Sequence, residues 1–113
     1  MNTKYKNQSY IALYNIIEKF YTEDNNEVIA ELASGMCPHT FKDSNSADPA
    51  VYEDFSDCLN SCFAETERMD FATAFNASIR FLEMYRDEFG FELSDYIDRI
   101  TIDLYKNEFE KQV

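Results

Sequence analysis

Three cysteines and a single histidine are the residues of this chain best suited to chemistry. Cys58 and Cys62 are four apart, so on a helix they share a face, and Cys37-Pro38-His39 adds a third thiol and an imidazole. Four such ligands are the set that a tetrahedral zinc site takes. The spacing, however, matches no closely paired knuckle, and Cys62 falls within an apolar stripe, where reduced cysteine packs as a small hydrophobe. The residues therefore read as holding no metal and no cofactor. Cys37 with His39 is the one nucleophile and base combination on offer, and a thiol nucleophile also needs a group to orient its base. His39 stands in no H-E-x-x-H or H-x-x-E pattern. Two glycines, Gly35 and Gly90, cannot build a phosphate-cradling loop. Carboxylates are plentiful, as in any acidic chain, and single out no acid–base pair. Without an active-site constellation the chain reads as a non-enzyme.

The elements that would position these groups are helical. Tyr10, Leu13, Tyr14, Ile17, Phe20 and Tyr21 follow an i, i+3, i+4, i+7 stripe, with Ser9 as the expected N-cap. Val28, Ile29, Leu32 and Ala33 mark a second helix, closed by Gly35 in a left-handed conformation. A polar loop over 36–47 leads to Asp48-Pro49, an N-cap followed by proline at the first helical position. The third helix carries Val51, Tyr52, Phe55, Leu59, Cys62 and Phe63 on one side and Glu53, Asp54 and Asp57 on the other. Asp70 caps a fourth helix with the stripe Phe71, Ala74, Phe75, Ile79, Leu82, Tyr85 and Phe89, ended by Gly90. A last helix, with Ser94 near its start, aligns Leu93, Tyr96, Ile97, Ile100 and Leu104. Short links after the first helix and at Gly90 predict αα-hairpins. The expectation is an all-α, five-helix bundle of antiparallel αα-hairpins, in one domain over residues 1–113.

Composition agrees with a folded chain. It is 45% hydrophobic and 16% aromatic, with ten Phe and eight Tyr, whereas disordered acidic tails are poor in aromatics. No run approaches the roughly 18 apolar residues of a membrane span, and the N-terminal stretch does not read as a secretory signal. An odd number of cysteines in a chain of this size reads as reduced thiols in a cytoplasmic protein.

Charge is the strongest pointer to a partner. The chain carries a formal net charge of −12, and −7 of it falls between Asp43 and Asp70. Such a surface repels phosphate and anionic lipid and steers basic proteins. The bases Lys42, Arg68, Arg80, Arg86, Arg99, Lys106 and Lys111 are scattered among acids and form no patch for nucleic acid. Asp43, Asp48, Glu53, Asp54 and Asp57, extended by Glu65 and Glu67, are the expected partner-binding residues. A solvated helix surface that serves solubility alone is the other reading of the same acids. Ile102, Tyr105 and Phe109 form a second apolar line, opposite the main stripe of the last helix. That line is either sandwiched inside the bundle or the edge of a homodimer, so the chain is expected to be a monomer or a weak homodimer.

The run IALYNIIEKFYTEDNNEVIAELASGM, followed by DSNSADPAVYEDFSDCL, resembles small, acidic, mostly helical immunity proteins of bacterial contact-dependent growth inhibition and related toxin systems. The likeness lies in an aromatic-rich first helix, an acidic turn, an apolar second helix, and Ala47-Asp48-Pro49-Ala50 leading to Tyr52-Glu53-Asp54-Phe55. It covers roughly residues 10 to 60, with Tyr52 and Phe55 where tryptophans are expected. The resemblance implies a stoichiometric inhibitor of a toxin domain, often a nuclease whose basic surface an acidic protein engages as a phosphate mimic. It implies no catalytic residues. The alternative function is a structural or regulatory homodimeric helical module.

Overall fold

A computed structural model of the chain describes residues 2–38 and 48–112. The regular structure among these residues is entirely helical: α1 Thr3–Asp24, α2 Glu27–Met36, α3 Pro49–Thr66, α4 Phe71–Phe89, α5 Ser94–Arg99 and α6 Ile102–Lys111. No described helix is long and apolar enough to cross a membrane.

Most boundaries follow from local chemistry. Asn2 opens α1 by accepting from the amides of Lys4 and Tyr5. Two successive asparagines then divide the work of the first turn. Asn25 ends α1 in the left-handed region at φ 53°, and the Asn26 side chain caps α2 by accepting from Val28 and Ile29. Asp48 accepts from the Ala50 amide and Pro49 begins α3, as the sequence predicts. Asp70 accepts from the Thr73 amide at the head of α4, and Gly90 ends that helix at φ 75°.

Three expectations are corrected. Ser9 is not an N-cap. It lies within α1, fully buried, with its hydroxyl donating to the Tyr5 carbonyl at 2.8 Å. The helix starts seven residues earlier than expected because Asn2 caps it and Tyr5 already belongs to the buried stripe. Gly35 does not close α2 in a left-handed conformation. The helix continues to Met36, which is fully buried one turn after Leu32, and the backbone leaves through Cys37 at φ −51°. Finally, the segment read as one last helix is two. Ile100 is extended (φ −84°, ψ 101°), and Thr101 starts α6 by accepting from the Leu104 amide. The described residues thus form six helices, not five.

The core is one cluster to which every helix contributes. The most extensive packing is α3 against α4, followed by α1 against α6 and α2. Buried tyrosines join these elements through their hydroxyls. Tyr5 donates to the Asp70 carbonyl (2.8 Å), Tyr10 to Met36 (2.5 Å) and Tyr105 to Ser9 (2.8 Å). Each ring supplies apolar area, and each hydroxyl meets an acceptor on another helix or its cap, as a buried polar group must.

Candidate functional site

The acids singled out by sequence separate into groups with different surroundings. Glu53 and Asp57 are one turn apart on the exposed side of α3 and engage in no ion pair among the described residues. Asp54 does not share that face. It is half-buried and turned toward α4, where its Oδ2 accepts the Tyr85 hydroxyl at 2.8 Å. Asp48 is exposed but structural: its carboxylate caps α3 at 3.0 Å, and its amide donates to the Gly35 carbonyl at 3.1 Å, tying α2 to α3. Glu65 receives both terminal nitrogens of Arg80, at 3.1 and 2.8 Å, and this contact holds its carboxyl below the usual carboxylate range. Glu67 closes α3 in the left-handed region at φ 56°. Asp43 lies outside the described residues, as does His39.

The α3 face therefore reduces to Glu53 and Asp57, with Asp54 beside them at the α3–α4 seam. On that seam Asp54 separates two hollows. The smaller, of about 230 Å³, includes Asp57, Cys58, Arg80 and Met84. The larger, of about 460 Å³, opens between α2, α3 and the end of α4. Leu32 and Val51, both buried, line it together with Glu31, Asp48 and Asp54. Its aromatic wall consists of Tyr85, Phe89 and Phe91.

The cap of α4 explains that wall. The left-handed Gly90 reverses the chain so that the amides of both Gly90 and Phe91 reach the Tyr85 carbonyl, the latter at 3.2 Å. Phe89 and Phe91 thereby stand edge-to-face with Tyr85, with centroids 5.0 and 5.8 Å from its own. Burial raises the Tyr85 pKa above its ordinary value, and the hydrogen bond to Asp54 adds to the effect. Tyr85 is thus a stable hydroxyl donor at neutral pH. Phe89 remains 57% exposed, a large apolar surface at the mouth of a carboxylate-lined cleft.

Cys62 is buried, and Cys58 is half-buried, with its thiol pushed up to about 11 by burial and by the neighbouring Cys62, Asp54 and Asp57. Among the described residues no three of His, Cys, Asp and Glu come together to hold a metal ion.

Of the two alternatives for the second apolar line, the sandwiched one holds. Tyr105 is fully buried and Phe109 is 8% exposed; Ile102 alone of the three faces water. Tyr105 packs between Phe75 and Phe109, so these residues form no exposed edge.

Sequence reasoning missed Glu31, Phe89 and Phe91 as neighbours of the acidic helix. The triplet Phe89-Gly90-Phe91 carried a usable signal, since two aromatics flanking a helix-ending glycine are displayed at a chain reversal.

No protein-family model matches the chain, and no curated protein or solved structure matches it.

Proposed function

We propose that this protein is an acidic, non-catalytic inhibitor of the immunity type, which binds a basic toxin domain and blocks it stoichiometrically. The observation that carries this reading is the outward pair Glu53 and Asp57. They are exposed, one turn apart and outside the ion pairs of the described residues, on the helix that forms the bundle's most extensive helix–helix interface, with α4. Like charges at i, i+4 destabilise a helix by a few tenths of a kcal/mol, and a basic partner reverses that repulsion. The net charge of −12 steers such a partner and repels phosphate and anionic headgroups. The resemblance of residues 10 to 60 to immunity proteins favours a toxin domain, and a nuclease with a phosphate-holding surface fits the charge best. Three cysteines without disulfides agree with a cytoplasmic setting. The homodimeric alternative loses support because Tyr105 and Phe109 lie inside the chain.

The test is capture of a basic nuclease toxin domain, sought first in the neighbouring reading frame, with wild type and a Glu53→Lys/Asp57→Lys double variant. Wild type is expected to bind at low salt and to weaken as salt rises. The folded double variant is expected to lose about 100-fold or more in affinity. Undiminished capture by a variant with native circular dichroism overturns the assignment of this face.

A further inference from the structure

The molecule holds one of its own arginines in a tyrosine, aspartate and phenylalanine frame whose members recur in the larger cleft. At the end of α1 the Tyr96 hydroxyl donates to Asp24 Oδ2 at 3.0 Å, and the Phe20 ring lies 5.3 Å from that of Tyr96. Arg99 fills this frame. Its guanidinium stands 4.6 Å from the Phe20 centroid and 5.1 Å from that of Tyr96, and it donates to Asp24 at 2.6 Å. In the cleft the Tyr85 hydroxyl donates to Asp54 Oδ2 at 2.8 Å, and the Phe89 ring lies 5.0 Å from that of Tyr85. Tyrosine, aspartate and phenylalanine recur with the same hydrogen bond, the rings tilted at 41° in the first frame and edge-to-face at 83° in the cleft. Among the described residues no lysine or arginine lines the cleft.

We propose that the cleft formed by Glu31, Asp48, Asp54, Tyr85, Phe89 and Phe91 receives an arginine side chain of the basic partner protein. This deepens the inhibitor reading and rests on it. Aromatic faces carry a negative quadrupole and attract a cation, and the planar guanidinium both stacks on them and donates to carboxylates. A purely apolar occupant leaves the carboxylates without new donors, and an anion is repelled by them. The volume of about 460 Å³ is ample for one side chain. The 57% exposure of Phe89 leaves the ring free to be covered.

The test is a nuclear magnetic resonance titration of the full chain with a capped arginine, Nα-acetylarginine methylamide, and with its uncharged citrulline counterpart. The aromatic signals of Phe89 and Phe91 are expected to shift saturably with the arginine compound, with a dissociation constant on the order of 1 mM for a ligand of this size. Citrulline is expected to leave them unmoved. Phe89→Ala removes an exposed ring, and Asp54→Asn keeps an acceptor for Tyr85; each is expected to weaken binding at least about fivefold. Glu110→Gln, exposed on α6 and outside the cleft, is expected to change nothing. Equal shifts with citrulline overturn the proposal, as do non-saturating shifts spread over Glu53 and Asp57. The toxin-domain capture assay separates the two readings. Capture lost in the Glu53→Lys/Asp57→Lys variant but undiminished in Phe89→Ala keeps the inhibitor and removes the arginine site. Absence of capture by wild type removes the inhibitor itself.

Discussion

The hydroxyl of Tyr105 donates to the Ser9 carbonyl from a fully buried ring, so Tyr105→Phe deletes one cross-helix hydrogen bond while keeping the ring. The expected loss is about 1 kcal/mol, measurable by urea unfolding. Burial also makes the tyrosines alkaline sensors. Tyr5 is pushed up to about 12, first by burial and then by the nearby Asp70 charge, and Tyr85 and Tyr105 are raised as well. A pKa raised in the folded state means that this stability is complete below pH 10, the unfolded value. It is lost as pH climbs through about 12, because the unfolded chain releases protons first. Melting temperature is therefore expected to fall steeply above pH 10, together with a cooperative rise in tyrosinate absorbance. Single residues were legible where a side chain meets its own backbone, as with Asp48, Asp70 and Gly90. Asp54 was not, because its partner Tyr85 lies on another helix and only packing turns it away from Glu53 and Asp57.

At the scale of elements, the two glycines make opposite predictions. Gly35 is helical, and a Cβ there would meet Val51 at 3.5 Å, an ordinary contact. Gly35→Ala is expected to stabilise by roughly 0.5 to 1 kcal/mol through helix propensity. Gly90 holds φ 75° with nothing within 4 Å of an added Cβ. Gly90→Ala is therefore expected to cost about 1 kcal/mol through backbone strain alone, and paired thermal melts would compare the two. The helical class was readable because the 3.6-residue stripes are long and punctuation is sparse. The division at Ile100 was hidden because Leu93, Tyr96, Ile97, Ile100 and Leu104 keep a helical spacing straight through it. Thr101, the cap that betrays the break, looked like one more polar position on a continuous helix. Of the two readings that the sequence left open for Tyr105 and Phe109, the sandwiched one holds, since both pack in the core.

For the whole molecule, charge works against compactness. Among the described residues each of five ion-pair contacts has at least one partner more than a third exposed, and such pairs contribute little each. The net charge of −12 repels itself across the entire surface. Repulsion outweighs the pairs, so added salt is expected to stabilise the protein. Shortening the screening length from about 30 Å at 0.01 M to about 8 Å at 0.15 M is expected to raise the melting temperature by several degrees, as calorimetry would record. The sign of the charge and its gathering on α3 were legible from composition and a helical wheel. The cleft was not, because it is assembled from α2, α3 and the reversal after α4, which only the tertiary fold brings together. The tyrosine clasps have one more consequence. The chain has no tryptophan, so its intrinsic fluorescence comes from eight tyrosines, at least six of which donate a hydroxyl across the fold. Emission from this protein is an unlabelled optical record of whether its helices are latched, and Tyr85 sets one of those emitters at the wall of the cleft.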